Sequence, residues 1–429
     1  MNNRIGIRHE DKYLMERRVP IVPIDAEVLS KKQNIDIIIE SSQKRIFSDD
    51  EYIQNGLSVT DNINDADVII GVKEIPIEKI RQNKIYVFFS HVIKGQAYNM
   101  PMLKKMMEMK CSLIDYEKIT DDQGRRLIFF GRFAGLAGMI NTLWSLGQRY
   151  KVLGIDTPFK LMRQAHTYSS LDEAISDVKH LAELIKKDGL PQETLPFVGA
   201  FTGYGNVSKG SWEIFDLLPH KSISPEELSD LKPDKHLIYK VVFKEQDLSE
   251  RIQGDFDLNH YYENPSEYKD KFGNYLHHFN FVVNGMYWDE RYPRIISKEN
   301  LKALTESEQL KLCVIGDITC DPNGSVECTH KGTEIEDPVF VYNPVDGSHN
   351  MGFKGEGVCV MAVDILPSEL PRESSEAFSG VLSKFILEIA DCDFNADLTE
   401  IVLSKPIKRA LILHNGVLTP DYEYIGEFL

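Results

Sequence analysis

The sequence contains no Cys-x-x-Cys pair, no internal repeat, no low-complexity stretch and no long uncharged apolar run. The first absence excludes the usual zinc and disulfide frameworks. Cys111, Cys313, Cys320, Cys328, Cys359 and Cys392 stand singly, most of them in apolar, strand-like surroundings, and read as buried thiols of a reducing compartment. No structural metal is expected. A membrane-spanning helix needs about 20 consecutive apolar residues, which this chain does not offer. The opening Met1-Asn2-Asn3-Arg4-Ile5-Gly6-Ile7-Arg8 lacks the apolar core of a signal peptide, so a cytoplasmic protein is expected. Positive charge is also scarce. Lysine plus arginine number 49 against 66 aspartates and glutamates, a net charge of −17. That balance repels phosphate backbones and anionic membrane surfaces, and neither nucleic acid nor membrane is expected as a partner. An anionic small molecule would have to be held by a local basic pocket.

What is present is ordinary globular material: 429 residues, 42% hydrophobic and 27% charged, enough for two or three domains. Short β-branched runs alternate with helical patterns, which marks an α/β fold. In the first third these runs are Ile35–Ile39, Asp67–Val72 and Ile85–Phe89. Two end in ionisable residues, Lys73 and Glu74 after one and His91 after the other. Ligands of open parallel sheets lie beyond the carboxyl ends of strands.

From Phe133 to about Leu153 the pattern is one long helix rich in small residues, Ala134-Gly135-Leu136-Ala137-Gly138, suited to tight helix contacts and to a link between domains. Further strands are expected at Leu195–Thr202, His236–Phe243, Phe279–Val283, Leu312–Ile318 and Val358–Ile365, and an amphipathic helix from Glu373 to about Ala390. The polar and aromatic stretch from Gln246 to Lys271 reads as a surface excursion.

The strongest local signal is Phe197-Val198-Gly199-Ala200-Phe201-Thr202-Gly203-Tyr204-Gly205-Asn206-Val207-Ser208-Lys209-Gly210. An apolar strand runs into Gly-x-Gly-x-x-Ser and continues as a helix. Gly203 permits the tight turn, and Gly205 lets backbone approach a pyrophosphate. Ser208 stands where a third glycine is usual; it is small enough for helix–strand packing and able to donate to phosphate. The helix start adds free N–H groups and a positive dipole end. Gly203, Gly205, Asn206, Val207 and Ser208 are therefore the candidate dinucleotide contacts. A ribose-binding acid is expected about twenty residues on. The region there is His220-Lys221-Ser222-Ile223-Ser224-Pro225, with no carboxylate before Glu226, which tilts the expectation towards NADP(H) over NAD(H).

Several segments together resemble the lysine-ketoglutarate reductase family, which includes the N-terminal half of aminoadipic semialdehyde synthases and the lysine-forming saccharopine dehydrogenases, with alanine dehydrogenase and transhydrogenase as distant relatives. They are Gly6-Ile7-Arg8 with Glu16-Arg17-Arg18-Val19-Pro20; Gly71-Val72-Lys73; Phe88 to Gln96; Leu113 to Lys118; Gly138-Met139-Ile140-Asn141; Thr157-Pro158-Phe159; the Gly-Asn-Val-Ser-Lys-Gly loop; Asn284 to Trp288; and Leu366-Pro367. The saccharopine-oxidising half of the bifunctional enzymes is not expected within these residues.

The resemblance implies two Rossmann-like parallel-sheet domains flanking a cleft: a discontinuous substrate domain, 1–132 plus 371–429, and a dinucleotide-binding domain, 133–370. It implies NAD(P)H-dependent condensation of lysine with 2-oxoglutarate to saccharopine, or the reverse, and is compatible with a homo-oligomer. Lys73 and His91 match the family's acid–base pair. Arg18, Gln96, Glu117, Arg126 and Phe130 match substrate contacts. Arg125, Asn284, Met286 and Asp317 match coenzyme contacts, Asp317 beside the nicotinamide ribose. Glu74 matches the fungal pattern only, and Ser224 departs from the animal one. Alone, Arg17-Arg18 and Arg125-Arg126 read as solvated charge pairs, Lys73 as a strand end and His91 as a core histidine. Two other functions use the same residues: an alanine-dehydrogenase-like reductive aminase of a small keto acid, and a catalytically silent nucleotide-binding module. The two arginine-bearing motifs favour a bulkier, multiply charged substrate over the first. Keeping Lys73, His91 and the glycine loop together argues against the second.

Overall fold

The short β-branched runs assemble into two eight-stranded sheets. The computed structural model describes residues 3–429, and its contacts divide the chain into Met1–Phe130 with Pro371–Leu429, and Gly131–Leu370. Among the described residues no helix is long and apolar enough to cross a membrane, and all six cysteines are free thiols.

In the first unit β1 (Ile5–Ile7), β2 (Ile37–Glu40), β3 (Ser58–Thr60), β4 (Val68–Ile70), β5 (Ile85–Phe88) and β6 (Ser112–Asp115) lie in the order β3-β2-β1-β4-β5-β6, all parallel. This is the doubly wound order, with its switch point between β1 and β4. The central strands are buried on both faces, which is why they read as unbroken apolar runs. The C-terminal segment completes the sheet with antiparallel Leu411–His414 and Val417–Leu418. Its helix Pro371–Asp391 buries Phe378, Leu382, Ile386 and Ile389 in the same core. Burial of that stripe makes the unit discontinuous in sequence.

The second unit holds β7 (Val198–Thr202), β8 (His220–Ile223), β9 (Ile238–Phe243), a small antiparallel ribbon of β10 (Ser249–Arg251) and β11 (Tyr268–Asp270), then β12 (Phe281–Asn284), β13 (Val314–Asp317), β14 (Val339–Tyr342), β15 (His349–Met351) and β16 (Val358–Met361). The sheet order is β8-β9-β7-β12-β13-β16-β14-β15; β14 pairs antiparallel with both β16 and β15, and these last two strands were not foreseen from the sequence. The strand beside β7 is β9, not β8. Composition explains the exchange. β9, Ile-Tyr-Lys-Val-Val-Phe, is apolar apart from one lysine and suits an interior position, whereas His-Lys-Ser-Ile of β8 is half exposed and suits an edge. The buried lysine, Lys240, is paired with Asp216 at 2.5 Å. The expected surface excursion is a folded element: Phe256, Tyr261 and Tyr268 pack ring on ring, and Tyr261 and Tyr268 are buried.

The helix Gly131–Val152 crosses the helix Asn206–Phe215 at backbone contact. A Cβ on Gly135 would stand 1.9 Å from the Val207 carbonyl oxygen, and one on Gly210 would stand 2.1 Å from that of Arg132. Small residues are needed here because backbone, unlike a flexible side chain, cannot move aside. Gly135→Ala is expected to cost about 1–3 kcal/mol and lower Tm by about 3–10 °C in calorimetry. Gly380→Ala, where an added methyl meets nothing within 4 Å, should leave Tm unchanged or raise it; equal losses would refute the packing account.

Candidate functional site

Three loops leaving the carboxyl ends of neighbouring strands β1, β4 and β5 bring together the charged residues of the first unit. After β1, buried Glu10 accepts hydrogen bonds from the backbone N–H of Val72 (2.7 Å) and of Lys73 (2.9 Å). It fixes the turn after β4 that presents Lys73. Burial raises the Glu10 carboxyl above its ordinary value even beside Arg8. Farther along the same loop, Glu16 accepts from Arg18 Nε (2.8 Å) and Nη2 (2.5 Å), both side chains being buried. The Arg18 guanidinium lies 4.2 Å from the centre of the Phe130 ring, which is stacked on Phe378 at 4.6 Å.

Lys73 sits among these charges. Burial, and then the positive charge of Arg18, hold its ammonium below the ordinary lysine value, against the opposite pull of Glu16 and Glu74. Glu16 is engaged by Arg18 and Glu74 by Lys12 and His91, so Lys73 has no ion pair among the described residues.

Glu74 is the hub of the cluster. One oxygen meets His91 Nδ1 at 2.7 Å, Lys12 Nζ at 2.9 Å and Asn99 Nδ2 at 2.8 Å. Burial alone would raise its carboxyl, but the hydrogen bond and charge of His91, with Lys12 and Asn99, hold it well below the usual carboxylate range. Since an ionised carboxylate only accepts, whenever His91 is neutral Glu74 selects the tautomer with hydrogen on Nδ1 and Nε2 unprotonated. His91 occupies the left-handed region at φ 51°, a costly conformation for a residue with a side chain. The bend is tied from both sides. Asn99 Nδ2 donates to the Ser90 carbonyl at 2.8 Å, and both the Ser90 N–H (3.1 Å) and its hydroxyl donate to buried Asp115 at the end of β6. Burial pushes the Asp115 carboxyl up to about 6.

The remaining candidates of this unit are Arg126, Glu117 and Gln96 for substrate and Arg125 for coenzyme. Arg126 is ion-paired to Glu117 and half exposed. Arg125 is bound to Asp121 at 2.7 Å within its own turn and is largely exposed. The Gln96 side chain accepts from the Lys94 N–H at 3.2 Å, closing a local turn. Glu10, Lys12, Asn99 and Asp115 were not singled out from the sequence. The one available cue was that Glu10 and Asp115 follow or end apolar strands.

In the second unit Gly203 takes φ 82°, and its N–H donates to the Phe243 carbonyl at 3.3 Å. Gly205 precedes the helix Asn206–Phe215, which has no side-chain cap and no acid in its first turn. A Cβ on Gly205 would meet nothing within 4 Å. An uncapped helix start facing open space fits a phosphate. Ser208 is buried and donates to the Thr202 carbonyl at 3.2 Å; Gly285 is packed close to it, as a Cβ there would stand 2.9 Å from the Ser208 hydroxyl.

Asn284 is a buried structural link: its amide donates to Asp317 (2.9 Å), Thr319 (3.2 Å) and Ser325 (2.8 Å) and accepts from Thr202 (2.7 Å). Asp317 is 1% exposed, accepts from Thr319 and Thr329 as well, and is raised by burial. Met286 lines a cavity of about 300 Å³ with Gly203, Tyr204, Gly205, Glu245 and Tyr262. The basic, hydroxyl-bearing end of β8, the ground for expecting NADP(H), does not adjoin β7, because β9 lies between them.

Comparison with known proteins agrees with this architecture. Residues 6–137 match the alanine dehydrogenase/PNT N-terminal domain, and residues 270–421 match its C-terminal domain. The chain is 38% identical to the alpha-aminoadipic semialdehyde synthase of Arabidopsis thaliana over 99% of its own length and 41% of that protein's. It is 32% identical to the mitochondrial synthase of Mus musculus, over 98% and 47%. The chain thus spans less than half of either synthase. Against the saccharopine dehydrogenase [NAD(+), L-lysine-forming] of Emericella nidulans it is 26% identical over 91% of the chain and 93% of the relative. A solved L-alanine dehydrogenase shares the fold, with a TM-score of 0.66, 16% identity and coverage of 99% and 100%.

Asp115 yields a pH test. Its folded carboxyl titrates near 6 against an ordinary 3.8, so the stability it contributes is whole below the unfolded value and is lost as pH rises through about 6. Asp115→Asn should therefore gain stability relative to the unmodified protein between about pH 4 and about pH 7. Parallel Tm-against-pH curves for the two proteins would refute this.

Proposed function

The chain is a homologue of the alpha-aminoadipic semialdehyde synthases and of the lysine-forming saccharopine dehydrogenases, and on that premise we propose that it joins lysine and 2-oxoglutarate reductively to form saccharopine, or runs the reverse reaction. The observation that carries the reading is that Lys73, buried and with its basicity lowered, and His91, anchored on the Glu74 carboxylate, follow the ends of the adjacent strands β4 and β5. In the forward direction the lysine ε-amine attacks the keto carbon, water leaves, and the resulting imine is reduced.

Forming and dehydrating the carbinolamine requires a proton to be taken from nitrogen and given to oxygen. His91 Nε2, freed by the Nδ1 contact to Glu74, is the acceptor. Lys73, lowered by burial and Arg18, exchanges protons nearer neutrality than a solvated lysine. Arg18 and Arg126 bind substrate carboxylates. Arg18 keeps Nη1 outside its hydrogen bonds to Glu16, and Arg126 is half exposed. Phe130 backs Arg18, Glu117 orients Arg126, and Gln96 shapes the neighbouring turn. Glu74 positions His91. A nicotinamide coenzyme, when bound, supplies or accepts the hydride. Gly203, Gly205, Asn206, Val207 and Ser208 hold its diphosphate through backbone, with Met286 on the cavity wall. Asn284 and Asp317 support that wall from within the fold, and Arg125 remains a candidate for coenzyme contact.

Oxidation of the reduced coenzyme, followed spectrophotometrically, should require both lysine and 2-oxoglutarate. Turnover with ammonia and pyruvate in their place would overturn the substrate assignment in favour of an alanine-dehydrogenase-like reaction. Lys73→Met and His91→Gln should each lower kcat by about 10²–10⁴-fold while leaving coenzyme affinity within a few-fold. Matched losses in kcat and coenzyme binding would mean that the two residues act structurally.

A further inference from the structure

The exchanged strand order moves the place where a dinucleotide's adenosine ribose is read. In a doubly wound sheet that group is recognised at the carboxyl end of the strand next to the glycine-loop strand. Here that strand is β9, whose Phe243 pairs with Thr202, the last residue of β7. β9 therefore ends level with the loop, and the next residues are Lys244 and Glu245. Both line the cavity that Gly203 and Gly205 open into.

The Glu245 carboxylate is half-buried and already aimed. Tyr204, from the glycine loop itself, places its hydroxyl 3.1 and 3.2 Å from the two carboxylate oxygens, and Tyr262 donates to one of them at 2.9 Å. Tyr262 comes from the folded element after β9, whose Tyr261 also lines the cavity and packs on Tyr292 at 5.0 Å, with Tyr287 a further ring of the lining. The cavity thus offers one oriented carboxylate among aromatic rings, a surface suited to a purine ring joined to a diol. A carboxylate has about four acceptor sites, so the two phenols leave room for further donors. Lys244, the cation on this wall, is exposed to solvent.

We infer that Glu245, held by Tyr204 and Tyr262, binds the adenosine ribose hydroxyls of a non-phosphorylated nicotinamide dinucleotide and selects NAD(H) against NADP(H). The inference rests on the nucleotide-binding part of the proposed function. A ribose 2′-hydroxyl donates to the carboxylate, whereas a 2′-phosphate brings negative charge and no donor against a fixed anion in a partly enclosed site. The selection is made at β9, so the absence of an acid at the end of β8 does not bear on it.

The test is fluorescence titration of the full chain with NADH and with NADPH, without substrates. NADH is expected to bind about tenfold or more tightly, the scale of one charged hydrogen bond lost. Glu245→Gln, which keeps size and removes charge, should narrow the ratio about tenfold, mainly by weakening NADH. Tyr262→Phe should narrow it less, and circular dichroism with melting should show both variants folded. Equal or tighter NADPH binding by the unmodified protein overturns the inference. So does a Glu245→Gln ratio unchanged from that protein. Failure to bind either nucleotide overturns it together with the nucleotide part of the proposed function. Selective NADH binding without turnover of lysine and 2-oxoglutarate sustains it while the substrate assignment falls.

Discussion

One anion, Glu74, sets the electrostatics at the carboxyl end of the first sheet. It lies where β4 runs out, is nearly enclosed, and is shared by a histidine, a lysine and an asparagine. Without that negative charge, Lys12 and His91 would lose their shared anion, and Lys73 would keep only Glu16, itself engaged by Arg18, against the burial and the positive charge around it. With it, the histidine tautomer is fixed and Lys73 keeps a basicity set mainly by burial and Arg18. A buried charge is tolerated only when it is paired and hydrogen-bonded, and Glu74 meets both conditions.

Behind Glu74 stand two carboxylates that act on backbone. Glu10 holds the amides before and at Lys73, and Asp115 holds the residue before His91. Both are raised by burial, so they cost stability near neutral pH, and what they secure is the aim of two loops. The left-handed backbone at His91 belongs to the same pattern, a local cost borne where side-chain direction matters.

The second unit uses the opposite strategy. Its glycine loop contributes an absence of side chains: open space at Gly205, a left-handed turn at Gly203 and an uncapped helix start. The selective polar group arrives from elsewhere, at the end of a strand that composition moved from the outer to the inner position. The buried Asn284, Asp317, Thr202 and Ser325 network keeps the ends of β7, β12 and β13 in register. This accounts for the family-like signature at Asn284 and Asp317 without exposing either side chain.

By itself, the sequence determined the α/β class, the glycine loop with its helix, most central strands, the long small-residue helix and the candidates Lys73 and His91. The elements among these are local, read from period and glycine spacing; Lys73 and His91 end apolar runs, but it was the family resemblance that singled them out. Tertiary structure alone decided that Glu74 joins His91 and that Glu10 and Asp115 hold the loops. It also decided that β9 displaces β8 beside the glycine-loop strand. Each depends on residues far apart in the chain or on competition between strands for a buried position, and free energy of that kind leaves no mark in local pattern.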